Sequence, residues 1–232
     1  MRRQQQVWQE EHKHESMLPM LASQKPSQDV VSFIHFLQKR NVNISGHVVD
    51  IGCGKGRNAI YLAQSGLIVD AMDYIQEALE VTQKFAKEER VLQNITLHLA
   101  EIDKRWIFPD NHFDYAIDCF SSIDIETLQG RETYRDEMWR TLQPNGYALV
   151  TVVSVNDEAE KEFLKKSPGP EPNSVIWPES GKFQKNYTEA ELRSFYQSFS
   201  IVQLRKVNNQ VFKLGKKYLG EYYWLVLQKP KI

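Results

Sequence analysis

Disulfide bonds have almost no raw material in this chain, whose 232 residues include only Cys53 and Cys119. Both fall at predicted strand ends instead of surface loops, so no disulfide framework is implied and a reducing, cytoplasmic setting fits. No apolar run approaches the roughly 20 residues needed to cross a bilayer. The basic start Met1-Arg2-Arg3 leads into Gln, Glu, His and Lys, not into the apolar core of a signal peptide. Neither membrane insertion nor export is expected. No charge of one sign dominates: 29 basic and 30 acidic residues leave a formal net charge of −1. That balance supplies no broad positive field for phosphates and argues against a nucleic-acid partner. His12 and His14 flank Lys13, while His35, His47, His98 and His112 are scattered. None has the Cys or paired-carboxylate spacing of a metal site, so no metal is expected.

What is present suits one compact α/β domain, with 41% hydrophobic and 25% charged residues. Residues 1–28 are polar, show no sustained period and read as an arm; residues 29–232 read as the domain. Ser27 is placed to cap a helix whose Val30, Phe33, Ile34 and Leu37 share one face. His47–Ile51 reads as a short buried strand, followed by a glycine turn and the helical pattern Ala59, Ile60, Leu62, Ala63. The alternation continues with strands near Leu67–Met72, Ile95–Leu99, Tyr115–Cys119 and Tyr147–Val153, and helices near Gln76–Glu89 and Thr133–Thr141. Strands separated by helices imply parallel strands with right-handed crossovers, hence a doubly wound, mostly parallel sheet.

Beyond Ser154 the rhythm breaks in an insertion spanning 154–187, with Pro168, Pro170, Pro172 and Pro178 in its second half. Its Val175, Ile176, Trp177 and Phe183 favour an ordered segment that covers a substrate over a disordered linker. Thr188 and Glu191 form a capping box for one more helix. The runs Phe199–Leu204 and Tyr222–Leu227 are predicted to close the sheet as an antiparallel pair.

Chemistry concentrates in Val48-Val49-Asp50-Ile51-Gly52-Cys53-Gly54-Lys55-Gly56-Arg57-Asn58. Glycines at alternate positions after a strand let the backbone turn tightly and approach a ligand, although glycine also serves plain turns. Asp73 follows Gly52 by 21 positions and ends the next predicted strand. An acid there is placed to accept hydrogen bonds from both ribose hydroxyls of an adenosine lying across the strand ends. A dinucleotide fingerprint wants glycine or alanine where Arg57 stands. S-adenosylmethionine (SAM) has no phosphate; its methionyl end presents an amine to Asp50 and Asp118 and a carboxylate to Arg57.

The segment resembles the first motif of the class I SAM-dependent methyltransferases. The likeness extends over about residues 45–153, with Leu142-Gln143-Pro144-Asn145-Gly146 similar to the family's Leu-x-Pro-Gly-Gly segment. Asn145 replaces its first glycine, a change that a left-handed backbone tolerates. The resemblance implies a seven-stranded Rossmann-like sheet and SAM as methyl donor, with S-adenosylhomocysteine as product. It implies that Gly52, Cys53 and Gly54 line the methionyl group, Asp73 holds the ribose and Tyr74 flanks the adenine. The family's adenine-contacting acid maps to Ile102 when counted back from Phe108, whereas Asp103 is the nearest acid. Asp118 matches the position near the methyl donor. The acceptor implied is a small molecule, with no catalytic residue assigned and no catalysis given to the two cysteines. Trp8, Met17-Leu18 and the Pro-rich segment are expected to close over the donor. The rival readings are a SAM-binding protein without turnover and a dinucleotide-dependent oxidoreductase.

Overall fold

The structure, a computed structural model, describes residues 3–13, 23–213 and 215–231. Its strands are β1 (His47–Ile51), β2 (Ile68–Asp73), β3 (Ile95–Leu99), β4 (Phe113–Cys119), β5 (Leu142–Val153), β6 (Ser174–Ile176), β7 (Phe183–Lys185), β8 (Ser200–Lys213) and β9 (Lys216–Gln228). Seven of them form one sheet in the order β3-β2-β1-β4-β5-β9-β8. β1 to β5 are parallel, β9 runs against β5, and β8 runs against β9. This is the doubly wound sheet with a closing antiparallel pair that the sequence rhythm predicts.

Both faces of the sheet are covered, which is why β1 is apolar along nearly its whole length. On one face α2 (Gln28–Lys39), α3 (Arg57–Gln64) and α4 (Gln76–Glu88) bury Phe33, Leu37, Leu62, Leu79 and Phe85 against Val48, Val69 and Ile117. On the other, α5 (Leu128–Thr141) and α7 (Glu189–Phe195) bury Tyr134, Met138 and Leu192 against Val49, Ile51 and Met72. The neighbours Val48 and Val49 thus serve opposite cores, as strand alternation requires. Ser27 caps α2 by accepting from the Asp29 amide, and Thr188 with Glu191 forms the expected capping box on α7.

Two boundaries differ from the sequence reading. α5 begins at Leu128 instead of Thr133, because Thr127 accepts from the Gly130 amide and starts the helix ahead of its apolar period. β5 begins at Leu142 instead of Tyr147: a register shift opposite Phe113 and Tyr115 absorbs Pro144 and Gly146, with Asn145 left-handed at φ 67°.

The 154–187 insertion is ordered. It carries α6 (Glu158–Lys166), which was not expected, although Asp157 followed three residues later by Glu160 is a start signal. Phe163, Val175 and Trp177 make its small core, and the Ser154–Tyr187 bridge closes its base on β5. β8 and β9 outrun the sheet as a two-stranded ribbon that α6 grips: Glu158 accepts from the Leu219 amide and Glu162 from the Tyr218 hydroxyl. A further helix, α1 (Arg3–Lys13), lies in the arm, where no period had pointed to one. The Met17-Leu18 pair and His14 lie outside the described residues, as does the His12 side chain.

Trp224 is 1% exposed on β9, and its Nε1 donates to the Asp29 carbonyl at the start of α2. Trp224→Ala is expected to destabilise the chain by about 3–5 kcal/mol through the cavity it leaves. Urea unfolding reads this as a lower midpoint at unchanged slope.

Candidate functional site

In the sheet order, β1 and β4 are neighbours from which the chain winds away in opposite directions. Open α/β sheets bind ligands beyond the carboxyl ends of strands at such a switch point. Asp50, Asp73 and Asp118 stand at those ends of β1, β2 and β4, and all three are buried.

The glycine turn after β1 is pinned from β2. The Gly52 and Cys53 amides both donate to the Met72 carbonyl, at 2.9 and 3.0 Å. The Gly54 amide donates to Asp73 Oδ2 at 2.8 Å, and the Ile75 amide to Asp73 Oδ1 at 2.9 Å. Each Asp73 oxygen keeps a second lone pair, so the carboxylate can hold the loop and still accept from a ligand. Thr82 on α4 closes the turn by donating to the Gly54 carbonyl at 2.9 Å. Gly52 has φ 68°, and a Cβ there would stand 2.4 Å from Ser121 Oγ. Gly56 has φ 81°, and its Cβ would stand 2.4 Å from the Thr82 methyl. Neither place admits a side chain.

Asp50 is different, because its Oδ2 is buried and accepts no hydrogen bond. Burial pushes its pKa up to about 7, the charge of Asp73 adds to this, and Arg57 opposes it. Burial also raises Asp73, against the amides of Ile75, Gly54 and Tyr74 that favour its charged form. Asp118 is raised by burial too, yet its carboxylate is engaged: Oδ1 accepts from the Ser121 amide at 2.8 Å and Oδ2 from the Tyr134 hydroxyl at 2.7 Å. It organises the turn after β4.

The remaining predicted residues fall around this crevice. Arg57 opens α3 and is half-buried; a cavity of about 680 Å³ reaches it from the far side, between Lys25, Tyr61 and Glu89. Tyr74 follows β2, and its carbonyl accepts from Gln5 of α1 at 3.0 Å. Ile102 packs into the α5-side core and its carbonyl accepts from the Trp106 indole. Asp103 lies beside Gly130 at the start of α5. Cys53 and Cys119 are free, and burial raises both thiols well above their usual range, which keeps them neutral and unreactive.

Sequence reasoning missed Phe120. It ends the β4 segment at φ 64°, a left-handed conformation that is a genuine outlier for a bulky residue and costs about 1–3 kcal/mol. Its ring meets Tyr222 edge-on at 5.3 Å, and the Tyr222 hydroxyl donates to Asp29 at 2.8 Å. No local signal announces a left-handed phenylalanine.

Three buried acids beside backbone amides and one arginine suit a nucleoside ligand that brings positive charge, and a pyrophosphate would meet their repulsion. Fold and site thus define a doubly wound α/β nucleoside-binding domain. Residues 48–146 match the family described as "Methyltransferase domain". A 2-heptyl-1-hydroxyquinolin-4(1H)-one methyltransferase of Mycobacteroides abscessus is 32% identical over 111 residues, covering 47% of each chain. A SAM-dependent methyltransferase structure from Methanosarcina mazei superposes with a TM-score of 0.73 at 21% identity, over 84% of this chain and 98% of that one. The Burkholderia thailandensis 1,6-didemethyltoxoflavin-N1-methyltransferase, solved with S-adenosylhomocysteine, gives a TM-score of 0.62 at 16% identity, over 88% and 79%. The chain spans about half the length of the curated relatives it matches. It belongs to the class I SAM-dependent methyltransferase family.

An acid whose pKa rises on folding holds its proton more tightly in the folded chain. Its contribution to stability therefore falls as pH climbs from about 4 through the folded value near 7. Asp50→Asn is expected to melt several degrees above the parent at pH 8, with the gap shrinking as pH approaches about 5; at this chain size each kcal/mol moves the midpoint about 2–4 °C. Thermal scans of ligand-free protein across this range decide it.

Proposed function

We propose that this chain transfers the methyl group of SAM to a small polar molecule held beneath α1. The observation that carries the reading is the unpaired Asp50 Oδ2, buried beside a backbone turn that Asp73 secures. A methionyl ammonium would satisfy that oxygen, and Arg57 would meet the methionyl carboxylate. Gly52, Cys53 and Gly54 would line the methionyl chain, Asp73 the ribose and Tyr74 the adenine face, with Ile102 or Asp103 at the adenine edge and Asp118 behind the sulfur. SAM supplies a methyl group already activated on a sulfonium. The protein therefore needs no nucleophile of its own, and its residues act by orientation and exclusion of water.

The cover comes from α1. Gln5 ties it to Tyr74 on the donor side, and Glu11 ties it to Lys182 of the insertion at 3.4 Å. Between these points Gln4, Trp8 and Glu11 share one helix face at i, i+4 and i+7. The Lys182 ammonium lies 4.6 Å from the Trp8 ring and 4.0 Å from the Trp177 ring. Gln4 Oε1, Glu11 Oε1 and Asp124 Oδ1 are buried and accept nothing. All three are hydrogen-bond acceptors, so the molecule that fits beneath the helix brings N–H or O–H donors. Two free, neutral thiols fit work in the reducing cytoplasm, and the acid-rich crevice fits no nucleic acid.

Calorimetry on the full chain is expected to give binding of SAM and S-adenosylhomocysteine and none of a nicotinamide dinucleotide; the reverse result ends the proposal. With labelled SAM and a panel of amines and alcohols, removing residues 1–13 is expected to lower kcat/KM at least tenfold while S-adenosylhomocysteine affinity stays within a few-fold. Donor binding with no transfer to any acceptor would mark a binding protein instead.

A further inference from the structure

At the other end of β1, far from the donor crevice, the sheet gathers side chains that are distant in sequence. His47 opens β1, Asp70 lies on the adjoining β2 opposite Val49, and His112 immediately precedes β4 on the other side of β1. His47, Val49 and Ile51 alternate onto one face, and Asp70 and Met72 share it, so these groups project toward the α5-side core. One ligand atom from each of His47, Asp70 and His112 lies within 4.8 Å of the others. The two imidazole rings are 5.0 Å apart, and His112 Nε2 is 4.0 Å from Asp70 Oδ2.

We propose that His47, Asp70 and His112 bind a divalent zinc-class metal ion. Two imidazoles and a carboxylate are a donor set suited to zinc, which takes three protein ligands and a water in open tetrahedral sites. Ligand atoms about 2.0–2.1 Å from the ion stand about 3.3 Å apart in such a site, so closure asks each side chain to move by an ångström or less. Three features favour an ion over a simple polar cluster. The first is His47 Nδ1, which is shielded from solvent and has no hydrogen-bond partner, a state that folded proteins rarely leave uncompensated. The second is the outer partner: His98 Nε2 sits 2.7 Å from Asp70 Oδ1 and orients the carboxylate so that Oδ2 faces His112. The third is the wall, where Phe108 packs edge-on to His98 at 5.0 Å and Phe113 edge-on to His112 at 4.7 Å. The His112 side chain keeps 32% of its surface exposed, which leaves a path for the ion.

Such an ion would tie β1, β2 and the approach to β4 together at the end of the sheet opposite the chemistry. β1 is five residues long, which separates His47 from the glycine turn by about 13 Å at 3.3 Å per residue. The site is therefore structural, and its occupation stabilises the fold in proportion to ion concentration over Kd.

The test uses untagged full-length protein stripped with a chelator. Titration with Zn2+ by calorimetry is expected to show one equivalent bound with micromolar or tighter affinity, and Co2+ to develop visible d–d bands of a tetrahedral N/O site. His47→Gln, Asp70→Asn and His112→Ala should each weaken Zn2+ at least tenfold, and His98→Gln by about 10-fold or more through loss of the outer partner. S-adenosylhomocysteine affinity should stay at the parent level in all four, which also certifies that they fold. Absence of Zn2+ binding by the parent protein overturns the proposal, as does binding that survives His47→Gln and His112→Ala unchanged. Should a variant fail to fold, X-ray absorption on the Zn2+-loaded parent decides instead: two imidazoles in the coordination shell support the site, and none refutes it.

Discussion

The Asp73 carboxylate holds two pieces of backbone in register, and the donor crevice depends on it. One oxygen takes the Gly54 amide and the other the Ile75 amide, so the turn after β1 and the turn after β2 share an anchor. Parallel strands cannot be joined by a tight hairpin, so their carboxyl ends carry loops that nothing in the ladder positions. A buried acid between two such loops supplies the missing constraint. The Met72 carbonyl reinforces it by accepting from both Gly52 and Cys53.

That solution crowds negative charge. Asp50, Asp73 and Asp118 are each raised by burial, and the first also by its acidic neighbours. Asp73 and Asp118 offset the cost with hydrogen bonds from the chain itself, whereas Asp50 does not. The uncompensated acid thus sits where a cationic ligand would complete the arrangement. A site that is electrostatically unfinished without its ligand trades ligand-free stability for affinity. The same logic runs under α1, where Asp124 is pushed up to about 8 by burial, with Lys182 opposing and Glu11 adding to the rise.

Much of the donor site was legible because its signals are local. A glycine turn after a buried strand and an acid about 20 residues later are readable in one dimension, and Asp50, Gly52, Gly54, Asp73 and Asp118 all lie at the strand ends where that reading puts them. Asn145 likewise adopts the left-handed backbone that its chemistry allows. The regions that cover the site were less legible. α1 is polar on most sides, and its docked face offers Trp8 among Gln4 and Glu11, too sparse a pattern to announce a helix. α6 was hidden by the proline-rich chain that follows it, although Asp157 and Glu160 marked its start.

The sequence by itself determined the order of strands and helices, and with it the parallel sheet and the place of the glycine turn, because hydrophobic period and turn chemistry act between near neighbours. Only the tertiary structure decided which distant groups meet. It put Glu11 against Lys182, Phe120 against Tyr222, and His47 beside Asp70 and His112. Those pairings depend on strand order and register, which are set by the packing of the whole sheet and leave no mark in the spacing of the residues they join.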